Sequence, residues 1–174
     1  MQIIGGAEMI IYHGSDTIVK MPKIIQSDRF HDFGIGFYTT TNLTQAKRWA
    51  RKVSIRRKSK SRFISIYEFD ESKSENFLEI IRFVKPNEDW LNFVCTCRSG
   101  KKLYIEYDMV IGPVADDSVY TTVVLFESGV LDKDETIKRL KIEKLYDQVL
   151  FHTEKSLRSL RFTDYIQLGG ERNG

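Results

Sequence analysis

Apolar and polar positions along the chain fall into short β-like runs and a few stretches with helical spacing. Residues 9–12 form an apolar run that reads as a strand ending at the turn residues His13, Gly14 and Ser15. Residues 33–38 (FGIGFY) predict a second strand, interrupted by glycines where backbone bends or approaches a neighbour closely. Asn42 and Gln45 give a capping-box-like start to a helix with Leu43, Ala46, Trp49, Ala50 and Val53 on one face. Residues 62–69 are apolar on both faces and rich in β-formers, the pattern of a buried strand. Residues 77–83 predict another strand. Asn87 caps a helix carrying Trp90, Leu91, Val94 and Cys95. Residues 107–111 predict a short strand closed by Gly112 and Pro113. Asp116 or Asp117 starts a segment with Val119, Val123 and Phe126 at helical period, although its Val and Thr content favours strand; a helix is expected. A helix follows over 134–144 with Ile137 and Leu140 inward, then a strand over 146–151, a helical turn through Leu157 and a strand over 161–166. Strands outnumber helices without alternating regularly with them, which predicts an α+β domain and not a doubly wound parallel sheet.

The 174 residues fit one domain with a core of useful size. No repeat, low-complexity tract or linker divides them, so the expected layout is a tail over 1–8, a domain over 9–166 and a glycine-rich tail over 167–174. No apolar run approaches the ~20 residues of a membrane helix, and the start lacks the basic and apolar blocks of a secretory signal. The expectation is a cytoplasmic protein with no membrane partner. Cys95 and Cys97, the only cysteines, read as small partly buried thiols, with no second pair to complete a metal site. Charge is unevenly spread. No Asp or Glu occurs from Phe33 to Tyr67, a window holding Lys47, Arg48, Arg51, Lys52, Arg56, Arg57, Lys58, Lys60 and Arg62. That block is either a solvated helix face or a positive field for phosphate, nucleic acid or an acidic partner.

Three places offer chemistry. A histidine beside a glycine at a strand end (YHGS, with His13, Gly14 and Ser15) presents ring and backbone together, although such residues are more often plain turns. Asp32-Phe33-Gly34-Ile35-Gly36-Phe37-Tyr38 lets a flat ligand approach the backbone and adds the aromatic face of Tyr38. Thr39 stands where G-x-G-x-x-G needs its last glycine, so a Rossmann reading fails. Gln148, beside Asp147, opens an otherwise apolar strand. His31 and Asp32 read as exposed turn residues, with a loop over the site as the other reading. His13, His31 and His152 are scattered, no carboxylate cluster accompanies them, and no metal is expected.

Taken in order, these features resemble the His-Tyr-Glu ADP-ribosyltransferases, and locally their poly(ADP-ribose) polymerase branch. There a glycine-rich tyrosine strand leads, eleven residues on, to a second aromatic, here Trp49. The segments YHGS, DFGIGFYTTTNLTQAKRWA, DMVIGPVADDSVY and DQVLFHTEKSLRSLRF are similar to a bacterial family of uncharacterised transferase-like domains, often proposed to include toxins of toxin–antitoxin pairs. The resemblance spans about residues 9–163.

It implies a split β-sandwich with peripheral helices and NAD⁺ as co-substrate in the cleft between its halves. His13, Tyr38 and Gln148 would be the catalytic set, and His13, Gly14, Ser15, Gly36, Tyr38 and Trp49 the NAD⁺-binding set. By the same resemblance, the backbone at His13 or Gly14 pairs with the nicotinamide amide, the His13 ring holds the adenosine-side ribose, and Tyr38 and Trp49 flank the nicotinamide. The chain departs from the pattern at the third position, where Gln148 replaces Glu: it accepts a ribose hydrogen bond but brings no charge. Asp147 points to the opposite face by strand alternation. Glu127, Glu143 and Glu154 are candidates for the missing carboxylate. The expected activity is mono-ADP-ribosylation of a macromolecular acceptor, protein or nucleic acid, with a neutralising antitoxin-like protein as an implied partner. The alternatives are a catalytically weak NAD⁺ or ADP-ribose sensor and a basic nucleic-acid-modifying enzyme.

Overall fold

The computed structural model describes residues 8–26, 31–101, 103, 105–113, 117–140 and 147–169. Its architecture is mixed α+β, with two mostly antiparallel sheets. The first sheet orders β1 (Glu8–Ser15), β3 (Phe63–Asp70) and β7 (Leu160–Gln167), all antiparallel. The second orders β2 (Phe37–Thr39), β6 (Asp147–Phe151), β5 (Met109–Pro113) and β4 (Ile80–Arg82). Its β4–β5 pair is parallel, as a crossover through α3 (Glu88–Arg98) requires. Among the described residues, one isolated antiparallel bridge joins Tyr12 of β1 to Thr40, the residue after β2; its two amides donate reciprocally at 2.8 and 3.0 Å. Among the described residues, no helix is long and apolar enough to cross a membrane.

Strand alternation sorts the core into two layers. Ile11, Tyr67 and Phe69 of the first sheet meet Phe37, Met109, Val149 and Phe151 of the second. On the other face of the second sheet, Val110 and Leu150 pack with Trp90, Leu91 and Val94 of α3, Val119 and Val123 of α4 (Asp117–Glu127) and Leu140 of α5 (Lys133–Leu140). Gln148 lies two residues from Leu150 and so shares the helix-covered face. It is fixed there by pairing with Gly112.

Helix α1 (Leu43–Arg56) starts where Asn42, in extended conformation, accepts from the Gln45 amide at 2.9 Å. The reciprocal half of a capping box is replaced by Thr40, whose hydroxyl accepts from the Asn42 amide at 3.0 Å. Ala46 and Ala50 are fully buried against β1. A Cβ on Gly14 would lie 2.0 Å from the Ala46 carbonyl oxygen, so glycine is what lets the helix come this close. Asn87 caps α3 by accepting from the Trp90 amide at 3.0 Å, and the Trp90 indole donates to the Pro113 carbonyl at 3.1 Å.

Several sequence expectations shift. His13, Gly14 and Ser15 are strand residues and not a turn, because they pair with Ser65, Ile64 and Phe63. The Gly34 amide donates to the His31 carbonyl at 3.1 Å, closing a turn with Gly34 at φ 87°, and the strand begins only at Phe37. Gly112 and Pro113 continue β5 opposite Gln148 and Asp147 instead of ending it. The strand expected over 77–83 shrinks to Ile80–Arg82, since Phe77 and Leu78 are bonded back to the Ser74 carbonyl at the end of α2 (Glu71–Ser74). Helix α5 is described to Leu140; the expected continuation to 144, Glu143 and the Asp116 cap lie outside the described residues.

Candidate functional site

A cleft of about 570 Å³, within the usual range of small-molecule sites, opens beside the Tyr12–Thr40 bridge. His13 and Gly14 of β1 line it, with Tyr38 of β2, Gln148 of β6 and Trp49, Lys52, Val53 and Arg56 of α1. His31, Asp32, Arg98 and Tyr120 complete the wall. The α1 residues follow an i, i+3, i+4, i+7 row, one face of the helix. Five of the seven residues that the resemblance assigned to the site thus converge: His13, Gly14, Tyr38, Trp49 and Gln148. Ser15 and Gly36 are not among the lining residues. Ser15 donates to Asp16 at 3.3 Å, and Gly36 faces β6, where a Cβ would meet Leu150 Cδ1 and the Phe151 oxygen at 2.4 Å.

His13 Nδ1 lies 2.7 Å from the Tyr38 carbonyl. A carbonyl only accepts, so Nδ1 carries the proton and Nε2 is left as an acceptor. The ring also packs on Phe37, with centroids 4.3 Å apart. Burial pulls the His13 pKa below the ordinary imidazole value. The bond to Tyr38 opposes this shift, and the charge of Arg57 reinforces it.

A lowered folded-state pKa means that the unfolded chain takes up this proton first on acidification. The His13 contribution is therefore complete above the ordinary imidazole pKa of ~6.5 and is lost as pH falls from there through the folded value. His13→Gln is expected to flatten this part of the stability profile, read from urea midpoints across mildly acidic pH. An unchanged slope would mean that His13 is not buried neutral.

Backbone geometry matters equally. In the antiparallel ladder, alternate residues turn their N–H and C=O groups to opposite edges. Tyr12 directs both groups away from β3 to Thr40. Gly14, two residues on, therefore also turns its N–H and C=O away from β3, beside the cleft.

The Tyr38 hydroxyl is occupied within the protein: it donates to the Gly34 carbonyl at 2.6 Å and accepts from the Phe33 amide at 3.2 Å. Burial first, and the Asp32 charge second, raise its pKa well above the ordinary phenol value, so it stays a neutral donor. Its ring packs against His31, with centroids 5.5 Å apart.

Gln148 is 3% exposed, and its Nε2 has no hydrogen-bond partner. A buried amide left unmet costs about 1–3 kcal/mol, so an orphan in a cleft wall asks for a ligand acceptor. Asp147 instead points out of the cleft, accepting from the Thr41 hydroxyl at 2.8 Å and the Thr40 hydroxyl at 3.3 Å.

The sequence reading gave the basic block a field for phosphate as one alternative, and Lys52 and Arg56, on the helical row that Trp49 begins, are its members in the lining; it missed Arg98 and Tyr120. Arg98, with a side chain 10% exposed, stacks on the Tyr120 ring at 4.3 Å and stands 3.9 Å from Asp32 and 3.6 Å from Glu127. Asp32, read as a turn residue exposed to solvent, has a side chain only 18% exposed. Of the other carboxylates considered, Glu127 pairs with Arg98 outside the lining, and Glu154 accepts from the Ile24 amide at 3.4 Å.

A second hollow, about 690 Å³, includes Tyr107, Asp108, His152 and Lys155 in its lining. Its His152 and Asp108 are already engaged within the protein. His152 Nδ1 donates to the Ile35 carbonyl at 2.6 Å while the ring stacks on Tyr107. Burial would raise the Asp108 pKa, but hydrogen bonds from Thr153, the Glu79 amide and Lys155 hold it below the ordinary value. His152 thus lies in a different hollow from His13 and His31, and the three histidines do not share one site. Cys95 and Cys97 are free thiols whose pKa values burial pushes up to about 11 and about 12. Neither is a ready nucleophile near neutral pH.

Comparison with curated proteins gave no match. Residues 9–162, from within β1 to within β7, match the family described as Protein of unknown function (DUF3990), and the chain belongs to that family.

Proposed function

We propose that the protein is an NAD⁺-dependent mono-ADP-ribosyltransferase of His-Tyr-Gln type, with the split β-sandwich of that superfamily, acting on a macromolecular acceptor in the cytoplasm. One observation carries the reading: His13, Tyr38 and Gln148, from three strands of two sheets, line a single cleft together with Gly14 and Trp49.

The cleft chemistry suits NAD⁺. The outward N–H and C=O of Gly14 match a carboxamide, which offers one acceptor and one donor. Tyr38 and Trp49 offer faces to a cationic ring. Lys52 and Arg56 supply charge for a pyrophosphate. The neutral His13 Nε2 accepts from a ribose hydroxyl. Gln148 accepts a second ribose hydroxyl through its carbonyl and gives its orphan Nε2 a ligand oxygen. The toxin role and a neutralising partner belong to the same reading and rest on family resemblance.

A nucleic-acid acceptor is the second reading, favoured by the exposed row of Lys47, Arg48, Arg51, Lys52, Arg56 and Arg57 on and just past the helix that walls the cleft.

The test is nicotinamide release from NAD⁺ by the purified protein, with cell lysate as acceptor and labelled NAD⁺ to follow the transferred group. Release is expected, and is expected to fall at least tenfold in Gln148→Ala. Label lost on nuclease treatment places the acceptor among nucleic acids, and label lost on protease treatment among proteins. NAD⁺ binding without release would make the domain a sensor. Neither binding nor release would overturn the reading.

A further inference from the structure

The second hollow shares no lining residue with the cleft, yet one turn stands between the two. Three successive carbonyls of that turn are each held by a different side chain. Tyr107 donates to the Phe33 carbonyl at 3.2 Å, Tyr38 of the cleft to Gly34 at 2.6 Å, and His152 to Ile35 at 2.6 Å. We propose that this hollow is a second binding site, for a small aromatic cation, and that its occupant steadies the turn on which Tyr38 rests.

The groups left open in the hollow select the ligand. His152 Nδ1 gives its proton to the Ile35 carbonyl, so Nε2 is the acceptor that the ring offers. The Asp108 carboxylate and Lys155 are bonded to each other, and Thr153 and the Glu79 amide complete the carboxylate's partners. The exposed side chains of Glu79, Glu106 and Lys101 also line the hollow, and none has a partner among the described residues. Two open carboxylates and an imidazole lone pair therefore stand against one open ammonium group. That balance favours a cationic donor over an anion. Ile35, Leu103 and Ile105 supply apolar walls for a ring, and a volume of about 690 Å³ accommodates one with a short side chain.

The turn carries the effect to the cleft. Gly34 and Ile35 line the hollow, whereas the Phe33 amide is bonded to the Tyr38 hydroxyl at 3.2 Å. From the hollow side the turn is held by His152, whose ring stacks on Tyr107 with centroids 4.4 Å apart. A ligand that packs on Ile35 and bonds to His152 restrains both, and a turn that opens less often exposes its amides less often. No covalent bond changes, so the cleft feels a gain of order and not a new chemistry. The site stands whether or not the cleft is a transferase centre.

The experiment titrates the full chain with tryptamine and, in parallel, with indole-3-propionate, which puts a carboxylate in place of the ammonium group. Binding is followed by amide NMR, and amide hydrogen exchange is measured at saturation. Saturable shifts are expected at Gly34, Ile35 and His152, with tryptamine roughly tenfold tighter than the propionate, since reversing the charge turns two attractions into repulsions. Glu79→Gln and Glu106→Gln should each weaken tryptamine about 2- to 5-fold, the scale of one exposed ion pair, and together roughly tenfold. Both side chains are exposed, so these variants should melt like wild type. Exchange at the Phe33 amide should slow severalfold with tryptamine bound. No saturable shift, shifts that gather instead at His13 and Trp49, or a propionate bound as tightly as tryptamine would each overturn the site. So would a double variant that binds tryptamine as wild type does. Phe33 exchange unchanged at saturation would remove the link to the cleft.

Discussion

Gly14→Ala is expected to lower the melting temperature by roughly 6–12 °C and to abolish NAD⁺ binding. The added methyl would meet the Ala46 oxygen at 2.0 Å, the Ala50 nitrogen at 2.7 Å and the Ala46 carbonyl carbon at 3.0 Å. All three are backbone atoms of α1, so no rotamer change relieves the clash and the helix must move as a body. Overpacking of this kind costs about 1–3 kcal/mol and occasionally more. At the upper end, a chain of this size loses about 2–4 °C per kcal/mol. The functional effect follows from the same displacement, because α1 carries Trp49, Lys52, Val53 and Arg56 to the cleft. Gly169→Ala, where an added Cβ meets nothing within 4 Å, is the control and should melt like wild type. A Gly14→Ala protein that melts within 2 °C of wild type would show that α1 does not pack on β1 as described.

Tyr38 substitutions should separate two roles that one side chain combines. Tyr38→Phe keeps the aromatic face but leaves the buried Phe33 amide and Gly34 carbonyl without the hydroxyl that serves both. The expected cost is about 1–3 kcal/mol of stability, with nicotinamide release within tenfold of wild type. Tyr38→Ala also removes the ring and should cost about 3–5 kcal/mol. Lost stacking alone lowers NAD⁺ affinity or turnover by roughly 10- to 100-fold, at ~1–3 kcal/mol per stacked ring. Equal activity in Tyr38→Ala and wild type would take Tyr38 out of the site.

The elements built on local signals were legible in the sequence. Asn42 and Asn87 announce α1 and α3 through their caps, and the apolar run over 62–69 announces β3. His13, Tyr38 and Gln148 were also readable as candidates, because each stands out against its own element, whereas Trp49 came only through the family resemblance. Long-range placement was not readable. YHGS has the composition of a turn, and only pairing with β3 makes it strand. Arg98 sits on the helix that crosses between β4 and β5, and nothing in its neighbours says that the crossover ends at the cleft. Asp32 looks like any polar residue before a glycine turn. Its neighbour Arg98, 3.9 Å away, lies far from it in the chain and on another element.

The Tyr12–Thr40 bridge and the His13–Tyr38 hydrogen bond lie side by side along the line where the sheets meet. Together they act as a seam: one backbone bridge and one side-chain bond fix the spacing of β1 and β2, and the cleft opens along that seam with His13 and Tyr38 on its two lips. A substitution that loosens either stitch therefore changes the width of the cleft before it changes its chemistry.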